Sequence, residues 1–154
     1  MVAFELQHWN DDNGFRAYAE DCTNFLSQAL HAGGWAYVGS GFFSTGNHSL
    51  WYYDGSFSGE HWTSDTWANA AWWNVFARNS GRVAALGNVW STLLADVIQA
   101  KWAGGSSITH SMMVTAIDVN NNHFMTYHTN NTKNRSLQDI INANPGTTWY
   151  ADRT

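Results

Sequence analysis

One stretch of the chain carries a complete set of helix signals, from a capping residue to a stop. It runs from Asp21 to Gly34, and from Cys22 onward apolar residues recur at positions i, i+3, i+4, i+7 and i+8. This is the period of a helix packed on a core. Asp21 stands at the N-cap position, and Gly33 follows the last periodic residue. The stretch therefore predicts a helix of about three turns that starts at the only cysteine of the chain.

The place of Cys22 at the start of this helix leaves two interpretations open. The positive end of the helix dipole and the unpaired N–H groups of the first turn favour a thiolate, which is the nucleophilic form. The same N–H groups can hold an oxyanion. Cys22 also lies on the apolar face of the helix, however, and buried structural cysteines are common.

Length, charge and cysteine content exclude several classes of protein. The 154 residues suit one domain, which we expect to span residues 1–154. A net charge of -5 with only 7 Lys plus Arg argues against a nucleic-acid partner. The sequence has no apolar run long enough to span a membrane, and its first residues do not resemble a signal peptide. If the protein is exported, we therefore expect its signal to lie outside this sequence or export to use another route.

The sequence also argues against a metal site. One cysteine and the spacing of the histidines match no structural zinc pattern, and no His-Glu-x-x-His run occurs. His123 and His128 are five residues apart on one predicted strand, so they lie on opposite faces and are not a metal pair. We therefore expect neither a metal ion nor a cofactor.

Aromatic residues are unusually frequent. They make up 16% of the chain, with 10 Trp, whereas charged residues make up 12%, about half the usual share. Such a composition is typical of many carbohydrate-contacting proteins, although most Trp side chains belong to a core or its rim. Residues 35–66 combine aromatic residues with Gly and Ser at weak periodicity, which predicts a binding loop or, alternatively, two or three poorly signalled strands. We expect Trp51, Trp62 and Trp67 to line a substrate cleft beside Cys22.

The remaining pattern places helices early in the chain and an antiparallel sheet late. This order predicts an α+β fold in which the Cys22 helix packs on the sheet. A hairpin is the clearest signal of the sheet, because Asn120, Asn121 and Asn122 separate two apolar runs. The predicted elements are helices over residues 67–78 and from Ser136 onward, and strands over residues 96–99, 110–119 and 123–129.

A cysteine nucleophile needs a base, and the base needs an orienting group. Of the seven histidines, His110 opens a buried strand directly after a Gly/Ser loop, where its side chain can project toward the helix N-terminus. If the hairpin turns on residues 120–122, His110 lies opposite residues 130–132. Asn130 is then the geometric choice for the orienting group.

Four segments, in the order in which they occur, resemble the motifs of the putative amidase domain family of bacterial secreted proteins. They are DCTNFLSQALHAGG (residues 21–34), DVIQ (96–99), HSMMVT (110–115) and YHTNNTKNRSL (127–137). The family is related to the CHAP and NlpC-type cell-wall amidases and peptidases. The resemblance therefore implies a papain-like fold with an N-terminal nucleophile helix on an antiparallel sheet.

The resemblance also implies residue roles, with Cys22 as the nucleophile and His110 as the base. CHAP domains place an acidic residue and, two positions later, an Asn as the third group. In this chain His128 and Asn130 stand at those positions, and NlpC-type enzymes use a second His. Both residues are therefore candidates for the orienting group.

Two further residues of the first motif, Asp21 and Asn24, are expected to support the site. The chain departs from the family at Ala95, where the family commonly has Gly before the Asp of its strand motif. The aromatic middle of the chain matches the family only loosely.

These observations lead to one main hypothesis and two kinds of alternative. The main hypothesis is a cysteine-dependent hydrolase that cleaves amide or peptide bonds of a peptidoglycan-like substrate through an acyl-thioester. The same site could serve a transpeptidase, a transamidase or a toxin effector, whereas a carbohydrate- or peptide-binding module would not be catalytic. The family implies a secreted or cell-wall-associated protein, or one delivered into a target cell, as part of a larger secreted protein or toxin.

Overall fold

The computed structural model describes residues 1–11, 14–57 and 60–154. In chain order the helices are α1 (Val2–His8), α2 (Cys22–Ala32), α3 (Asp65–Ala68), α4 (Ala70–Asn79) and α5 (Leu137–Ala143), with short 3-10 helices at Phe42–Ser44 and Val89–Ser91. The strands are β1 (Tyr53–Phe57), β2 (Glu60–Thr63), β3 (Ala84–Leu86), β4 (Val97–Lys101), β5 (His110–Ile117), β6 (His123–Tyr127), β7 (Thr132–Ser136) and β8 (Thr148–Arg153). No helix of the described residues is long and apolar enough to cross a membrane.

The main sheet has the strand order β3-β8-β4-β5-β6-β7, and all of its pairs are antiparallel. The predicted α+β fold is therefore confirmed, and so is the hairpin of β5 and β6. Its turn is held by Asp118, whose carboxylate accepts hydrogen bonds from the backbone N–H groups of Asn120 and Asn122. The predicted register needs a correction, since Met113 pairs with Thr126. Continued to the strand end, this register puts His110 opposite residue 129 instead of residues 130–132.

The predicted Cys22 helix is confirmed as α2, and it lies at the centre of the packing. All residues from Cys22 to Leu30 are buried, because the helix contacts α1, α3, α4, β5 and β6. Most of its buried polar side chains have hydrogen-bond partners, but within the described part of the chain the Gln28 amide has none. Ser27 donates to the Trp67 carbonyl (2.7 Å), and the hydroxyls of Thr23 and Ser111 lie 2.9 Å apart.

The aromatic middle of the chain is mainly core. Strands β1 and β2 form a small separate antiparallel sheet, so the alternative interpretation of residues 35–66 as weakly signalled strands is correct for residues 53–57 and 60–63. Residues 58 and 59 lie outside the described part of the chain. Trp51 and Trp67 are 0% exposed, which contradicts their prediction as cleft residues. Each indole N–H finds a polar group on α2, Ser27 for Trp51 (3.2 Å) and Asn24 for Trp67 (2.6 Å). A satisfied N–H allows a tryptophan to be buried completely.

Asn69 divides the helix that was predicted over residues 67–78. Its side chain accepts hydrogen bonds from the backbone N–H groups of Ala71 and Trp72, so it caps α4 and separates it from α3. Such a cap is typical of asparagine at a helix start. The strand predicted at residues 96–99 is β4, whereas β3, β7 and β8 were not predicted.

Candidate active site

A cavity of about 670 Å³ opens where the start of α2 meets the start of β5. Cys22, His110 and Asn130 line it, so the structure brings three of the predicted site residues together. Trp102, Tyr127 and Arg135 also line the cavity. These three residues were not predicted, because no local sequence pattern indicates which side chains share a cavity.

Contacts between α2 and β5 hold Cys22 beside His110. The thiol sulfur of Cys22 lies 3.8 Å from the carbonyl oxygen of Thr109. On the other side of each residue, the hydroxyls of Thr23 and Ser111 are hydrogen-bonded. One contact thus joins Cys22 itself to the residue before His110, and the other joins the residues that follow Cys22 and His110 in the chain.

Burial sets the charge state of both groups. Cys22 is 4% exposed and His110 is 8% exposed. Burial raises the pKa of the Cys22 thiol, although hydrogen bonds with the Ser111 backbone and with Thr23 and Thr129 oppose the shift. Burial also lowers the pKa of His110 to about 4. At neutral pH the resting site therefore holds a thiol and a neutral imidazole, and the prediction that the helix end favours a thiolate is wrong because desolvation dominates.

Aromatic side chains hold the His110 imidazole. Tyr127 meets it edge to face with ring centres 4.8 Å apart, and Trp102 lies at 5.6 Å. Within the described part of the chain, the His110 ring makes no hydrogen bond to another residue. Its orientation is therefore set by packing, and its nitrogens remain available to accept and donate a proton.

The structure places the predicted orienting residues differently from each other. The Asn130 side chain is exposed and lines the cavity. His128 is 3% exposed and points away from the cavity, with its ring stacked on Phe25 at 3.6 Å. Its Nδ1 lies 2.8 Å from an Asp21 carboxylate oxygen, and its Nε2 lies 3.0 Å from the His8 carbonyl oxygen. Both nitrogens of His128 are thus engaged on the other side of the α2 N-terminus.

Asp21 connects this histidine to the start of α2. It occupies the predicted N-cap position, but its side chain does not cap α2. The carboxylate instead accepts hydrogen bonds from the Tyr18 N–H and the Asn24 amide, both at 2.9 Å, while its backbone N–H donates to the Thr129 hydroxyl at 3.1 Å. Asp21, the residue directly before Cys22, therefore bonds to three separate parts of the chain.

Trp62 is half-buried, with its ring centre 4.3 Å from that of Phe42. Like Trp51 and Trp67, it is not among the residues that line the Cys22 cavity. Three tryptophans predicted to contact substrate thus lie elsewhere.

Comparison with known protein families identifies a match over nearly the whole chain. The model of the putative amidase domain matches residues 1–151 of the 154-residue chain. No curated protein and no solved structure matches the chain. The matched range extends the resemblance seen in residues 21–137 to nearly the whole sequence.

Proposed function

The chain belongs to the putative amidase domain family, and from this premise we propose that it hydrolyses amide bonds with Cys22 as the nucleophile. Family membership indicates a hydrolase that acts on amides. The cysteine mechanism is supported by one observation: Cys22, the first residue of α2, and His110, the first residue of β5, line the same cavity. A thiol and an imidazole in one cavity are the two groups that nucleophilic acyl transfer requires.

In the proposed mechanism, neutral His110 accepts the thiol proton while the Cys22 sulfur attacks the carbonyl carbon of the amide. His110 then gives that proton to the leaving nitrogen, the C–N bond breaks, and an acyl-thioester remains on Cys22. His110 next removes a proton from the water that attacks the thioester. It gives this proton to the Cys22 sulfur as the C–S bond breaks, which releases the acid and restores the free thiol. In this proposal, backbone N–H groups of the first turn of α2 stabilise the oxyanion in both steps.

The charge states support general base catalysis during the attack. A site that holds a thiolate and an imidazolium at rest needs a thiol pKa below that of the imidazole. Here burial raises the thiol pKa and lowers that of His110 to about 4. We therefore propose that the proton moves only as the substrate is attacked.

We also propose a papain-like fold and a cell-wall substrate. A cysteine at the start of a buried helix, packed on an antiparallel sheet that carries the histidine, supports the papain-like arrangement. Asn130 shares the cavity with His110, which supports it as the group that orients the base once substrate is bound. Peptide or amide bonds of peptidoglycan, met outside the producing cell or in a target cell, are the proposed substrates, and the resemblance to secreted amidases supports this choice.

The test is digestion of purified cell-wall material followed by mass analysis of the released fragments. We expect the protein to release fragments that have gained one water, and we expect Cys22→Ser and His110→Ala to release none. His31→Gln is a matched control, because His31 lies at the far end of α2 and bonds to the Trp35 carbonyl. Full activity of Cys22→Ser would overturn the cysteine mechanism, and products joined to an added amine instead of water would indicate a transferase.

A further inference from the structure

The Cys22 cavity contains an arginine that has no acidic partner among the described residues. Arg135, on β7, is exposed and is the only Lys or Arg that lines the cavity in the described part of the chain. Two other arginines bond to buried carboxylates, Arg78 to Asp152 and Arg153 to Asp96. No such ion pair involves Arg135 among the described residues, so its charge is free to bind a ligand.

Tyr127 holds the Arg135 guanidinium near the base. The guanidinium Nη1 donates to the Tyr127 hydroxyl oxygen at 3.5 Å, and the same tyrosine ring packs edge to face on His110. Tyr127 is itself 7% exposed, which limits its movement. One tyrosine ring therefore separates the guanidinium from the base, a distance that an extended peptide covers in about two or three residues.

The chemistry of these groups identifies the ligand class. Guanidinium groups bind carboxylates through two parallel N–H···O bonds, which makes arginine the usual carboxylate receptor in proteins. The side chains of Asn130 and Asn144 line the same cavity and offer neutral hydrogen bonds to peptide groups. Glu20 is the only acidic residue that lines it in the described residues, and no ion pair joins it to Arg135.

We propose that Arg135 binds a carboxylate of the substrate. The enzyme then prefers amides that carry a free carboxylate within about three residues of the scissile bond, such as the end of a short peptide. That the amide bond is cleaved rests on the proposed function, whereas the carboxylate site itself does not depend on turnover.

Protection of Cys22 from alkylation tests the carboxylate site. Iodoacetamide would be reacted with the protein at about pH 8.5, where some of the thiol is ionised, in the presence of N-acetyl-alanyl-alanine or its C-terminal carboxamide. Mass analysis gives the alkylation rate. We expect the acid to protect at a concentration at least about tenfold lower than the carboxamide, since a hydrogen-bonded ion pair replaces a neutral contact.

Variants assign this preference to Arg135. We expect Arg135→Gln to abolish it and Arg135→Lys to retain part of it, because lysine keeps the charge but not the two-pronged geometry. Lys133→Gln removes a charge from the same strand outside the cavity and should keep the preference. Equal protection by both peptides, no protection by either, or an unchanged preference in Arg135→Gln would each overturn the proposal.

The two proposals can fail separately. If Arg135→Gln abolishes acid-selective protection but cell-wall digestion shows no Cys22-dependent cleavage, the carboxylate site stands and amide hydrolysis does not. If cleavage depends on Cys22 but acid and carboxamide substrates are cleaved alike, hydrolysis stands and the carboxylate site does not. Melting temperatures of the Arg135 variants should equal that of the parent protein, because the side chain is exposed.

Discussion

Replacing His128 with asparagine should disturb Cys22 without touching the cavity. His128 Nε2 lies 3.0 Å from the His8 carbonyl oxygen, which can only accept, so this nitrogen carries a hydrogen. His128 Nδ1 then faces the Asp21 carboxylate at 2.8 Å. Whichever partner holds the shared proton, the pair has no net charge. In His128→Asn, Asp21 keeps a buried negative charge next to the nucleophile.

The cost in stability follows from the burial of the pair. Removing one partner of a buried ion pair costs about 3–5 kcal/mol of stability. We expect the lower end of this range, because Asp21 keeps its hydrogen bonds from Tyr18 and Asn24. The uncompensated charge lies on the residue that precedes Cys22, so it disfavours the thiolate and raises the thiol pKa.

Four proteins measure both effects: the parent, His128→Asn, Asp21→Asn and the double variant. Urea unfolding gives stability, and the iodoacetamide rate between about pH 6 and 11 gives the apparent thiol pKa. We expect His128→Asn to be the least stable and to have the highest thiol pKa. The double variant removes both charges and should return the thiol pKa toward that of the parent.

His123→Asn provides a matched control. His123 is 1% exposed and its ring nitrogens lie 3.0 and 2.9 Å from the carbonyl oxygens of Asn121 and Thr92, away from the cavity. Its replacement should cost stability while the alkylation profile of Cys22 stays unchanged. An identical alkylation profile for His128→Asn and the double variant would refute the role of the Asp21 charge. A shift in His123→Asn as large as that in His128→Asn would refute it too.

Four further predictions follow from burial and backbone geometry. The folded-state pKa of His110, about 4, lies below its ordinary value of 6.5, so the stability contributed by the neutral ring is complete above pH 6.5 and is lost as pH falls toward 4. Thermal unfolding should show that the free energy of unfolding falls by about 3 kcal/mol between pH 6.5 and pH 4. In His110→Gln this pH dependence should largely disappear. Burial raises the pKa of Glu5 well above 4.5, so the stability of the protein falls as pH rises and the buried carboxyl ionises. Glu5→Gln should therefore raise the melting temperature at pH 8 but not at pH 4. An equal gain at both pH values would contradict this. Ala95 has φ 72°, a left-handed conformation that strains alanine. Ala95→Gly should therefore stabilise the protein by about 0.5–1 kcal/mol, measured by urea unfolding. A lower unfolding midpoint would show that the lost methyl contacts outweigh the strain. Trp67→Ala should destabilise by about 3–5 kcal/mol, and an unchanged unfolding midpoint would contradict its place in the core.

The sequence by itself determined the elements whose signals are local. The apolar spacing from Cys22 to Leu30 and the glycine at position 33 mark the extent of α2, and three consecutive asparagines mark the turn of the β5–β6 hairpin. Such signals act within one element, so they can be interpreted without knowing what packs on it. The resemblance of the motifs around Cys22 and His110 to one family was visible for the same reason.

Only the tertiary structure decided the environment of these residues. Burial raises the thiol pKa of Cys22 against the helix dipole, and this burial comes from elements as distant in sequence as the strand that carries His110. His128 lies two residues from Asn130 in the chain, yet it bonds to Asp21 behind α2 while Asn130 lines the cavity. Desolvation and hydrogen-bond partners depend on groups brought together by folding. The pattern of residues along the chain predicted where the reactive groups lie, but their charge states and partners depend on what surrounds them.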